Sequence, residues 1–254
     1  MLQNATAIKG YSIVATDGPL GSVSDLLFDD FSWKIRWVVV DTGDWLPGRK
    51  VLLPTSVLGH LESGERKFTV RLTKREVEES PDIDAHLPVS RQMEVNVFDY
   101  YGWSPYWGSG FYVGRIMDRS EAAMPLMKDH LWEAEAQSLQ KSKGDQNLRS
   151  TEVVTGYHIH ASDGEIGHVE DFLIEDMDWS IHYIVVDTKN WWPGERVLIS
   201  PRTIQDINWS DKLVNLKGIR QSVKDSHTYN KDTLIDRAYD RKFHSYYDEL
   251  WPNG

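Results

Sequence analysis

From Ile8 to Ala15 apolar and polar positions alternate well enough to predict a strand, and Asp17-Gly18 then supplies residues that tolerate positive φ in a tight turn. Gly21 to Phe28 reads as the partner strand, with Val23 and Leu27 apolar. Trp33 to Thr42 carries Val38-Val39-Val40, a β-branched run that fits a strand buried on both faces. Pro47-Gly48 predicts a turn in which proline fixes one φ and glycine accepts the other; Val51-Leu52-Leu53 follows as a short strand. Two further strands fit Val57–Glu62 and Lys67–Leu72. The period then changes. Thr73 caps a predicted short helix, TKREVEES, ahead of Pro81; beyond it Val89, Met93, Val97 and Tyr100 fall at helical spacing, with Ser90 as a cap near the start.

The whole pattern is written twice. GYSIVATDGPLGSVSDLLFDD and RWVVVDTGDWLPGRKVLLP return as GYHIHASDGEIGHVEDFLIED and HYIVVDTKNWWPGERVLIS, at a constant offset of 146, as from Gly10 to Gly156. Asp17-Gly18 and Gly21 recur as Asp163-Gly164 and Gly167, and Pro47-Gly48 as Pro193-Gly194. Ile204–Asn208 and Leu213–Leu216 fit the later strands of the second copy, and Ile235, Tyr239, Phe243 and Tyr246 repeat the helical stripe, with Asp232 as its cap. About six short strands per copy, separated by turn signals, predict a small closed or nearly closed barrel, which also removes open sheet edges.

Between the copies lies an unduplicated stretch. It opens on GWSPYWGSGFYVG, continues as a predicted helix from Met124 to Lys143, and ends in KSKGDQNLRS, which reads as a solvated linker. The expected organisation is therefore a first unit over 6–101, a connector over 102–150 and a second unit over 151–250.

Composition narrows the function. With 254 residues, 40% hydrophobic and 26% charged, the chain is long enough for two ordinary domains, each with a modest core. A net charge of −11 disfavours nucleic acid, which needs a phosphate-neutralising basic stripe, and anionic bilayers alike. There is no cysteine, so disulfides, thiolate nucleophiles and cysteine-held zinc or iron–sulfur centres are excluded. Neither a secretory signal nor an apolar run near the roughly 18 residues of a membrane span is visible, and the expectation is a cytoplasmic protein without an integral membrane segment.

The ordered motifs GYxIxAxDGxxGxVxDxL, WxxxxxVVDT and WxPG(x)₂VL resemble the PRC-barrel family, the small β-barrel of the photosynthetic reaction centre H subunit and of a ribosome-maturation factor. Gly10, Asp17, Gly18, Gly21, Asp25, Asp41, Trp45 and Pro47-Gly48 carry the resemblance, and each recurs 146 residues on, over roughly 6–80 and 152–226. The fold it implies is mainly β with helical extensions: two PRC-like β-barrels related by internal duplication and joined by an aromatic-rich, helical connector. It implies a protein–protein adaptor module with no shared catalytic set and no cofactor.

Three residue groups are candidates for chemistry or contact. The carboxylates Asp25, Asp29, Asp30 and Asp41, echoed by Asp171, Glu175, Asp176 and Asp187, could serve acid–base chemistry or hold a hard cation, but their occurrence in both copies points to turn closure and backbone hydrogen bonding. His158 and His160 share one face of a predicted strand with His168 on its neighbour, a weak zinc candidate, since the first copy has Ser12, Val14 and Ser22 there. The aromatic run Tyr100, Tyr101, Trp103, Tyr106, Trp107, Phe111 and Tyr112 is either a packed plug or a recognition surface. The leading expectation is a non-catalytic scaffold that binds other proteins or itself, plausibly as a homodimer. The alternatives are an accessory of photosynthesis or electron transport, associated peripherally with a membrane complex, and a ligand binder or enzyme with a pocket between the barrels.

Overall fold

The computed structural model describes residues 2–59, 66–80, 148–188, 195–225 and 228–230. The helical stripes expected after each copy, the aromatic run, the expected connector helix and Pro193-Gly194 lie outside these residues.

The chain is mainly β. Its first part forms β1 (Leu2–Asn4), α1 (Ala5–Ile8), β2 (Ser12–Ala15), β3 (Gly18–Asp29), β4 (Lys34–Asp41), β5 (Lys50–Pro54), β6 (Lys67–Thr69) and α2 (Lys74–Glu78). The second part forms β7 (Leu148–Ser150), α3 (Thr151–Val154), β8 (His158–Ala161), β9 (Gly164–Glu175), β10 (Ile181–Asp187), β11 (Arg196–Ile199), β12 (Ile204–Asn208), β13 (Leu213–Leu216) and α4 (Arg220–Lys224). Ile8 to Ala15 is thus not one strand: the end of a helical turn and a bend at Gly10, whose φ is +82°, precede β2. KSKGDQNLRS is likewise not all linker, because Leu148–Ser150 pairs as a strand with a buried leucine.

Two sheets result, ordered β5-β4-β3-β2-β6 and β11-β10-β9-β8-β13-β12. The hydrogen-bonded paths are open, yet each is rolled by its own chain. β11 and β12 sit at opposite ends of their path but are joined by residues 200–203, which include the 3₁₀ turn Pro201–Thr203. So short a link spans at most roughly 17 Å, so the two edges have to curl toward each other. In the first sheet Leu58, just past the turn Thr55–Val57, bridges Val70, just past β6, with the same effect.

The turns follow the residue chemistry. Arg49 N–H donates to the Leu46 carbonyl at 3.2 Å across Pro47-Gly48, with Gly48 at φ +77° as a type II corner requires. The Thr42 hydroxyl, in the VVDT sequence, donates to the carbonyls of Leu46 and Arg49, both at 2.7 Å, and so ties this loop shut. Thr73 caps α2 in a capping box with Glu76, and bonds from the Thr73 backbone and hydroxyl hold the Glu76 carboxyl below its usual range. Asp17 and Asp163 turn their hairpins and also accept from the first amides of α2 and α4, Lys74 N–H at 2.9 Å and Arg220 N–H at 2.7 Å. Gly21 and Gly167 are not turn residues. They lie inside β3 and β9, where a Cβ would stand 2.0 Å from the carbonyl oxygens of Asp41 and Asp187.

Val38, Val39 and Val40 are all buried, as are Ile184, Val185 and Val186, which the two-faced strand required. The inner faces do not form separate cores. One buried cluster runs through both halves, with Phe28 against Phe172 (centroids 5.7 Å apart) and Phe68 against Trp179 (5.6 Å). On the outer face of the second sheet Leu173, Tyr183, Val185 and Leu198 form a further cluster with Tyr229 and Leu2.

Candidate functional site

The densest set of specific side-chain bonds lies where the halves exchange their first residues. β1 does not pair in its own sheet; Leu2, Gln3 and Asn4 face Glu175, Ile174 and Leu173 of β9. β7 does the reverse, with Leu148, Arg149 and Ser150 facing Asp29, Phe28 and Leu27 of β3. The local reason is length. β3 and β9 have 12 residues each, while β2 and β8 have only 4, so the far end of each long strand would present an open edge. The arm of the other half fills it.

One aspartate organises each seat. Asp171 is 3% exposed. Its Oδ1 accepts from Thr6 N–H (3.2 Å) and from its neighbour Phe172 N–H (2.8 Å). Its Oδ2 accepts from Asn4 Nδ2 (2.9 Å) and from the Thr6 hydroxyl. Asp25 repeats this on the other seat: Oδ1 accepts from Leu26 N–H (2.8 Å), Glu152 N–H (3.3 Å) and Thr151 Oγ1 (3.0 Å), and Oδ2 from Ser150 Oγ (2.5 Å). Each carboxylate therefore receives the amide of the second residue of the other half's helical turn, together with side-chain donors from that turn and from the residue before it. A buried charge needs such donors to offset its lost hydration.

Between the seats the hairpin tips cross. Ile35 N–H donates to the Trp179 carbonyl (2.8 Å) and Ile181 N–H to the Trp33 carbonyl (2.7 Å), flanking a bridge between Lys34 and Ser180. Trp33 and Trp179 reach this arrangement at φ +54° and +60°, a conformation bulky residues rarely adopt. Both are held there by packing on the common core. Among the described residues, ion pairs also cross between halves, as in Lys34–Asp178 (2.9 Å), Arg149–Asp30 (3.0 Å) and Lys9–Glu152 (3.1 Å). Burial opposes ionisation of Asp178, but bonds from Ser180 and Lys34 outweigh it and bring the carboxyl down to about 2.

The outer surface carries the remaining candidates. His158 and His168 are direct cross-strand partners, and His160 shares their face. His158 Nδ1 lies 3.1 Å from Glu165 Oε1 and His168 Nε2 lies 3.9 Å from Asp187 Oδ2, so the rings turn to different carboxylates. Among the described residues no three such groups converge in a way that could hold a metal ion. A groove of about 680 Å³ is lined by Ser56, Val57, Leu58, Gly59, Thr69, Arg71 and Leu72, all of the first half. At the hairpin tips Phe31 and Met177, 146 residues apart in sequence, are 89% and 80% exposed. No described helix is long and apolar enough to cross a membrane.

The sequence singled out Asp25 and Asp171 as turn carboxylates but not as anchors of the opposite half. The usable signal lay upstream of Gly10: LQNATAIKGY and LRSTEVVTGY keep the leucine, a short polar side chain and the glycine at the same offset. Residues 3–77 match the family model of the PRC-barrel domain. No curated protein matches the chain.

Proposed function

We propose that this chain, whose residues 3–77 are a PRC-barrel domain, is a non-catalytic scaffold that binds other proteins through surfaces displayed on a doubled barrel unit. Strands β11-β10-β9-β8-β13 repeat the order and registers of β5-β4-β3-β2-β6, with β12 added at the end, and we read residues 148–225 as a second module of the same kind. The observation that carries the binding role is the pair Phe31 and Met177. Large apolar side chains this exposed, at matching tips of hairpins pinned by Trp33 and Trp179, are a feature of contact surfaces. The carboxylates beside the tips are already engaged within the chain, Asp30 with Arg149 and Asp178 with Lys34. The partner that fits has apolar pockets that receive the two tips.

The test is quantitative crosslinking in the native cell with the wild-type chain, the Phe31→Ser/Met177→Ser variant and a control variant on the histidine face. A partner captured by wild type and control but lost with the tip variant supports the reading. Equal capture by all three removes it. Among the described residues, the groove beside Arg71 favours a small-ligand binder instead. A thermal-shift screen separates the two, because a ligand bound only by the folded state raises Tm.

A further inference from the structure

The two seats hold their arms without covalent help, and the tether between the halves lies elsewhere, in residues 81–147. We infer that each seat is a docking site for the arm of any copy of this module, so that halves cut apart stay paired and exchange with halves of a second copy of the chain. Each seat has the parts of a strand-addition site: an open backbone edge at residues 173–175 or 27–29, and an aspartate aimed at the incoming helical turn. The seat on β9 also has an apolar floor that receives Leu2.

The occupant is identified by reciprocity and charge. The arms and seats are mutually complementary, as in an isologous interface, where the same patch serves both partners. Lys34–Asp178, Arg149–Asp30 and Lys9–Glu152 match positive to negative across the contact. In the intact chain the tether keeps the exchange internal. Joining both halves in one chain makes their pairing intramolecular, which favours it over pairing between separate chains at micromolar concentration, so the free chain is not driven to swap. Cutting the tether removes that advantage and leaves the docking interface alone. This holds whether or not Phe31 and Met177 meet a partner.

The experiment places a site-specific protease sequence within 81–147 of the full chain, cleaves the purified protein, and follows it by sedimentation at micromolar concentration. The expected result is one particle with the mass of the intact chain. When dye-labelled cut protein is mixed with an excess of unlabelled cut protein, label should redistribute among the particles. Asp25→Asn/Asp171→Asn, which replaces an acceptor oxygen in each seat by a donor, should weaken the pairing at least about tenfold. Lys34→Glu, at a partly exposed position, should weaken it less, and Lys34→Glu/Asp178→Lys should restore it. Cut halves that separate while each keeps native circular dichroism overturn the inference. So do halves that unfold on cutting, and halves that stay together without ever exchanging label.

Discussion

A single glycine sets how closely β3 can approach the end of β4. At Gly21 a Cβ would lie 2.0 Å from the Asp41 carbonyl oxygen, and Gly167 stands in the same relation to Asp187. Backbone on both sides leaves nothing flexible to give way. Gly21→Ala is therefore expected to destabilise the fold by about 2–4 kcal/mol, read as a lowered urea midpoint, whereas Gly48→Ala, in open space with only its φ at issue, should cost about 1 kcal/mol. Equal effects would contradict the close-approach explanation. Asp178 gives a second residue-scale expectation. Its folded pKa of about 2 lies below the unfolded value of roughly 3.9, so its contribution is fully present above pH 4 and is lost as pH falls toward 2. Asp178→Asn should flatten that part of the acid-side loss of stability. Its effect at neutral pH should be small, because the side chain is half exposed. Parallel urea midpoints for the two proteins from pH 2 to 6 would refute it. The aspartates and glycines were visible in the sequence at a constant offset; what each one touches was not, because those contacts are with segments 20 to more than 100 residues away.

Among the elements, the shortest ones have the widest consequences. β1 and β7 are 3 residues long and would be unstable alone, yet each completes a long strand of the other sheet. Removing residues 2–8 should expose the β9 edge and the Asp171 carboxylate together. Hydrogen exchange is expected to show lost protection at those amides of 173–175 that face β1, while the β10–β11 ladder at 184–186 stays protected. Uniform loss across the second sheet would mean that the arm is instead part of the folding core. The long strands, the turn at Pro47-Gly48 and α2 with its Thr73 cap were legible from alternation, the Pro-Gly pair and the cap residue. The arms were not, since three residues carry no measurable period and KSKGDQNLRS has the composition of a loop.

For the molecule as a whole, the inner faces of both sheets meet in one buried cluster that includes Phe28 and Phe172. Two halves sharing a core and trading edge strands should unfold together. Calorimetry on the intact chain is expected to give one transition for the two sheets, and two resolved transitions would contradict the shared core. The amino-acid pattern alone determined that the chain is mainly β, that one series of motifs recurs at a constant offset of 146, and that Asp17-Gly18, Pro47-Gly48 and Asp163-Gly164 turn their hairpins, because these depend on contacts near in sequence and on the period of apolar side chains. Only the tertiary structure decided that the halves interlock through crossed arms around Asp25 and Asp171, and that the sheets roll without closing by hydrogen bonds. Those outcomes depend on which distant edge is left unpaired once the long strands have bent, and periodicity carries no record of that.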